Sequence, residues 1–147
     1  MSATGLDVFD QTLQKTNIWL KEIMEHLGPD RQRAYHALRA VLHTLRDRLT
    51  VEEAAHLSAQ LPLLIRGIYF EGWHPAHKPA KQRAKQEFLE QVAARLKGVE
   101  PINPETATRA VLEVLERNID RAEAAQVRHM LPKALQELWP GERVSVS

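Results

Sequence analysis

The chain has 147 residues, 44% of them hydrophobic and 27% charged, and no cysteine, which describes about one soluble globular domain with enough apolar surface for a core of its own. Without cysteine it has no thiol nucleophile, thiolate zinc site, iron–sulfur cluster or redox switch. Twenty basic residues against nineteen acidic ones leave a formal charge of +1, so no global field gathers nucleic acid or anionic lipid.

Nineteen leucines and eighteen alanines against ten valines and six isoleucines favour helix over strand. The stretch from Met1 to Asp7 has neither a positive leader nor an apolar run, and no segment approaches the roughly 18 apolar residues of a membrane span. A cytoplasmic protein with no membrane contact is the expectation.

In chain order, the first helix is predicted from about Leu6 to Leu27, closed by Gly28-Pro29. The second runs from about Asp30 to Leu49, with Ala34, Ala37, Leu38, Val41, Leu42, Leu45 and Leu49 on one face. Thr50-Val51-Glu52-Glu53 is a capping box that opens a third helix. Leu61-Pro62 stops it and starts a fourth near 62–69, because proline has no amide proton to give a helix interior. Residues 71–80, with two prolines and a glycine, read as a linker. A fifth helix is predicted from about Lys81 to Lys97, ended by Gly98, and a sixth from Pro104 to Ile119 under an Asn103 cap. Asp120-Arg121-Ala122-Glu123 opens a seventh, and Leu131-Pro132 leads to an eighth near 132–139.

Self-comparison exposes a duplication. Shifted by 70 residues, 37–69 aligns with 107–139 without a gap, and 11 of the 33 positions are identical, among them Glu53/Glu123, Ala54/Ala124, Leu61/Leu131 and Pro62/Pro132. Upstream the offset is 69, where Trp19, Leu20, Ile23 and Leu27 meet Phe88, Leu89, Val92 and Leu96. A unit of this size is marginal alone. The expected fold is therefore all-α: one domain over 1–147 in which repeat one (6–73) and repeat two (81–140), of about four helices each, close on a shared core around a pseudo-two-fold axis.

Leu13-Gln14-Lys15-Thr16-Asn17-Ile18-Trp19-Leu20, Ala37-Leu38-Arg39-Ala40-Val41-Leu42, Leu61-Pro62-Leu63-Leu64-Ile65-Arg66-Gly67, Tyr69-Phe70-Glu71-Gly72-Trp73, Phe88-Leu89 and Arg128-His129-Met130-Leu131-Pro132 together resemble a bacterial family catalogued as domain of unknown function 2267. The resemblance covers nearly the whole chain. It implies a small helical bacterial protein and transfers no catalytic residue.

No nucleophile elbow, phosphate loop or dinucleotide glycine pattern occurs. His36 and His43 share a helix face about 160° from the centre of the apolar stripe, which predicts solvated side chains. Glu53-Ala54-Ala55-His56 has the Glu-x-x-His spacing of carboxylate-bridged metal bundles, but the second copy reads Glu123-Ala124-Ala125-Gln126. Both glutamates are read as capping residues. Glu71, His74 and His77 in the linker are read as a solvated connector, and Glu113 and Glu116 as ordinary charge pairing. Neither a cofactor nor a metal is expected.

Lys78, Lys81, Arg83 and Lys85 concentrate positive charge at a helix start, a weak nucleic-acid signal. Tyr69, Phe70 and Trp73, with Trp139 in the second copy, are read as a seam between the repeats or a partner site. The leading function is a non-enzymatic interaction or scaffold module, with self-association through an apolar groove as one form. The alternative is a ligand- or metal-dependent enzyme with a pocket between the repeats, and the third is a weak nucleic-acid binder through 78–85.

Overall fold

The apolar periodicity is realised as helix throughout a computed structural model that describes residues 2–75, 84–99 and 101–140. Eight helices form among those residues and no strand: α1 (Asp7–Leu27), α2 (Arg31–Arg48), α3 (Val51–Ser58), α4 (Leu63–Phe70), α5 (Lys85–Arg95), α6 (Pro104–Asn118), α7 (Arg121–Met130) and α8 (Lys133–Gln136). The expected linker is a pair of turns over residues 71–75, and the rest of it lies outside the described residues.

Local chemistry sets the boundaries. Gly28, at φ +99°, turns the chain out of α1 while its amide still donates to the Met24 carbonyl. Asp30 then accepts from the Gln32 and Arg33 amides, and Asn103 does the same for Glu105 and Thr106 ahead of Pro104. Thr50 and Asp120 each accept from the amide three residues on. Pro62 and Pro132 stand just before α4 and α8. The last element is shorter than its pattern: after Gln136 only turn bonds continue, Leu138 to Leu135 and Trp139 to Gln136.

Helices α2 and α6 pack on each other, with α1 against both and α5 against both. Their alanines, Ala34, Ala37 and Ala40 in α2 and Ala107 and Ala110 in α6, are buried and permit close approach of the backbones. Helix α4 lies on α1 and α2, α8 on α5, and α3 on α7. One apolar cluster draws on all eight, from Trp19, Leu38, Leu57 and Ile65 to Val92, Leu112, Val127 and Leu135. Each such fully buried leucine or isoleucine stabilises the fold by about 1.5–3 kcal/mol relative to exposure.

One expectation reverses. His43 is buried, not solvated, because α4 covers that side of α2 and presents the Ile68 carbonyl 2.7 Å from Nε2. His36 remains partly exposed at the surface.

Candidate functional site

Thr50 and Asp120 begin α3 and α7 so that Glu53 and Glu123 fall at the third helical position of each. In a closed capping box the glutamate carboxylate returns to the cap residue's amide. Here the boxes close on one side only. The Thr50 and Asp120 oxygens take the Glu53 and Glu123 amides at 3.2 and 3.4 Å, while both carboxylates turn into the α3–α7 contact and are buried, at 4% and 6% exposure. The capping role read from the spacing is replaced by a tertiary one.

Two bonds cross that contact. Gln126 Nε2 donates to Glu53 Oε2 at 3.0 Å, and His56 Nδ1 lies 3.3 Å from Glu123 Oε2. The remaining oxygens, Glu53 Oε1 and Glu123 Oε1, are buried and, with both carboxylates ionised, have no hydrogen-bond partner. A desolvated carboxylate oxygen without a donor is costly, and two facing carboxylates cost more because their charges repel. Burial first, then the hydrogen bond and the charge of Glu123, push the Glu53 carboxyl up to about 7, with His56 opposing. The arrangement is short of positive charge.

One donor atom each from Glu53, His56 and Glu123 lie within 4.8 Å of one another. A first-row ion with bonds of about 2.0–2.2 Å needs donors some 3–4 Å apart, so a small contraction closes the set. The His56 side chain is 67% exposed and the Glu123 side chain 7%, so the carboxylates form the floor and the imidazole the rim.

The aromatic residues sit elsewhere. Tyr69 is fully buried and its hydroxyl donates to the Ala54 carbonyl at 2.8 Å; burial raises its pKa well above the usual phenol value. Trp139 is buried with Nε1 on Glu116 Oε2 at 2.8 Å. Phe70 meets Tyr69 edge-on and stacks on Trp73, and both Phe70 and Trp73 are half-buried against the core. Glu113 pairs with Arg117 and His26. In the linker, Glu71 is engaged by Arg39 at 3.2 Å, and His77 lies outside the described residues. Of the basic stretch, Lys85 reaches Glu105 and Glu137, while Lys78, Lys81 and Arg83 lie outside the described residues.

The Glu53-x-x-His56 spacing, read from the sequence as capping, belongs to the cluster that assembles among the described residues. The signal was present: the 70-residue offset maps Glu53 onto Glu123 and His56 onto Gln126, so a contact between the copies brings all four together. No helix among the described residues is long and apolar enough to cross a membrane. A family model described as an uncharacterized conserved protein, DUF2267, matches residues 16–138. No curated protein matches the chain.

Proposed function

The chain belongs to the DUF2267 family, and we propose that it binds a divalent first-row transition-metal ion between its two halves, through Glu53, His56 and Glu123. The observation that carries this reading is the pair of buried, unpartnered oxygens, Glu53 Oε1 and Glu123 Oε1, beside an imidazole. Two carboxylates and one imidazole suit zinc, manganese or iron better than calcium or magnesium, which favour all-oxygen shells. Gln126 is a fourth group at hand: rotating its amide, whose orientation follows from the hydrogen-bond network, offers an oxygen in place of the nitrogen. Three protein ligands with an exposed rim leave a position for water or another small ligand.

The duplicated plan supports this placement. Helix α1 packs on α6 as α5 packs on α2, and α3 and α7, which correspond at the 70-residue offset, pack on each other. On a pseudo-two-fold reading the site lies close to the axis. Tyr69, Phe70, Trp73 and Trp139 then serve the packing of the halves.

Calorimetric titration of chelator-treated protein with zinc chloride tests the proposal. One site per chain is expected, with a rise in melting temperature of about 5–10 °C at a hundredfold excess over Kd. Glu123→Gln removes the binding and His56→Ala weakens it. No heat at micromolar zinc, or binding indifferent to both substitutions, overturns the reading.

A second reading, an interaction module that self-associates, is favoured by α1. Leu6, Phe9 and Leu13 continue the stripe that is buried at Thr16 and Leu20, yet they stay exposed because no helix among the described residues covers the first turns. Sedimentation at rising concentration, with Phe9→Ser and Leu13→Ser as comparison, tests it; a wild-type chain that stays monomeric removes it.

A further inference from the structure

We propose that the pocket between α1, the turn joining α3 to α4 and the end of α6 binds a small organic carboxylate. Lys15, Ile18 and Trp19, three and four residues apart on one face of α1, form one wall. The chain from Ala59 to Leu63 forms another with Arg66, and Asn118 completes the lining. The pocket encloses about 420 Å³, within the roughly 300–1,000 Å³ of small-ligand sites.

An indole short of an acceptor points to the chemistry of the ligand. Trp19 is 3% exposed, and a buried indole N–H ordinarily finds an acceptor, as Trp139 Nε1 does on Glu116. Trp19 makes no hydrogen bond among the described residues. Nor is its Nε1 among the unpartnered polar atoms sealed from solvent, so the sliver of this residue left open holds the N–H, at the pocket that Trp19 lines. A donor stripped of most of its hydration and given no partner is unfavourable. The pocket has to supply the acceptor, from water or from a ligand that displaces it.

Most of the other polar groups of the lining are donors too. Lys15 has no hydrogen bond or ion pair among the described residues. Arg66 is held by the Ser58 and Leu61 carbonyls through Nε and Nη2, at 2.9 and 3.1 Å, which leaves Nη1 to donate. Gln60 accepts the Asp120 amide on Oε1 at 3.1 Å, which leaves its Nε2. Pro62 gives α4 no side-chain cap, and the Leu63 amide that opens the helix has no acceptor among the described residues. Asn118 commits its Nδ2 to Glu22 and Val114. No carboxylate lines the pocket, and the acids nearest in the chain are engaged, Glu22 by Arg117 and Asp120 by the Glu123 amide. An ammonium, a guanidinium, an indole N–H and a helix start together favour an anionic oxygen, and the exposed Ile18 and Leu63 offer its organic body an apolar rim. By the offsets that align the repeats, Lys15, Trp19 and Arg66 fall on Ala84, Phe88 and Gln136. The donor set belongs to the first copy and is not demanded by the shared helical pattern.

The pocket shares no residue with Glu53, His56 and Glu123, and EDTA throughout keeps its test independent of metal. The full chain is titrated calorimetrically with sodium benzoate. Benzamide, its neutral analogue, and orthophosphate, an anion without an apolar body, are parallel arms. Expected is one saturable site per chain, tightest for benzoate and weaker at higher salt. Lys15→Gln lowers the affinity about threefold, as loss of a rim charge does, and Trp19→Phe, which keeps a ring and removes the N–H, lowers it about tenfold. Lys21→Gln, outside the pocket, leaves it unchanged. Circular dichroism verifies folding, and Lys15 is at the surface, so its substitution decides even where Trp19→Phe disturbs the core. No saturation at tens of millimolar benzoate, benzamide or orthophosphate bound as tightly as benzoate, affinity indifferent to Lys15→Gln, or an equal loss in Lys21→Gln overturns the proposal.

Discussion

Gln126 faces Glu53 across the α3–α7 contact at 3.0 Å, in the position that His56 occupies toward Glu123 at 3.3 Å. On the proposed reading of a metal held between two halves, they differ here in one ligand. Replacing the amide by an imidazole completes Glu-x-x-His in both copies, and imidazole is the stronger donor for zinc. Gln126→His is expected to tighten zinc binding by about tenfold, a gain near 1.4 kcal/mol. Calorimetry on the variant measures it; an unchanged or weaker affinity places the ion away from residue 126.

Without metal the same carboxylates are a liability to the fold. Each has a buried oxygen with no donor, and one buried acid next to another costs more than a neutral amide of the same shape. Glu123→Gln is therefore expected to stabilise the chelator-treated protein by about 1–2 kcal/mol, a rise in melting temperature of about 3–6 °C. Thermal melts in EDTA at pH 8 measure the difference. A fall in melting temperature means that both carboxylates are satisfied in the free chain.

Most helix ends and centres were legible in the sequence because their determinants are local; α5 is the exception, running Lys85–Arg95 where about Lys81 to Lys97 was expected, with Ala84 extended before it and no side-chain cap to mark its start. Asp30, Thr50, Asn103 and Asp120 cap helices with their own side chains, and Gly28, Pro62 and Pro132 stop or start them through backbone geometry alone. What escaped is decided between helices. A helical wheel of α2 places His43 opposite the apolar stripe, but α1, α4, α5 and α6 all pack on α2, so its polar side is covered too. Glu53 and Glu123 fit a capping box by spacing, and only the docking of α3 on α7 turns them inward. In α1 the stripe through Trp19, Leu20 and Ile23 is buried as its spacing implies, while Leu6, Phe9 and Leu13 farther up the helix stay exposed.

The aromatic cluster at the end of α4 separates into an anchored ring and a leaning one. Tyr69 is fully buried, with its hydroxyl on Ala54 O. Tyr69→Phe keeps the ring and drops the bond, at a cost of about 1 kcal/mol, or about 2–4 °C. Trp73 rests half-buried on Phe70 at a centroid distance of 5.2 Å, and Trp73→Ala removes a larger apolar area, about 2–3 kcal/mol. Melts of both variants rank them. A Trp73→Ala chain with wild-type stability argues that this ring serves a partner instead of the packing of the fold.

His43 supplies the pH dependence. The Ile68 carbonyl can only accept, so the bond at 2.7 Å fixes the proton on Nε2. Burial, the largest effect, and the charges of Arg46, Arg39 and Arg95 hold its pKa below the usual 6.5, against the pull of the Ile68 carbonyl. The unfolded chain therefore binds this proton more readily than the folded one. The contribution is fully present above about pH 6.5, the unfolded value, and is lost as pH falls toward and through the depressed folded value. Melting temperatures from pH 7.5 down to 5 are expected to fall more steeply for the native chain than for His43→Gln, whose amide can still donate to Ile68 but does not titrate. Parallel profiles for the two proteins would mean that the imidazole finds water or rotates free of the α2–α4 contact when it takes up a proton.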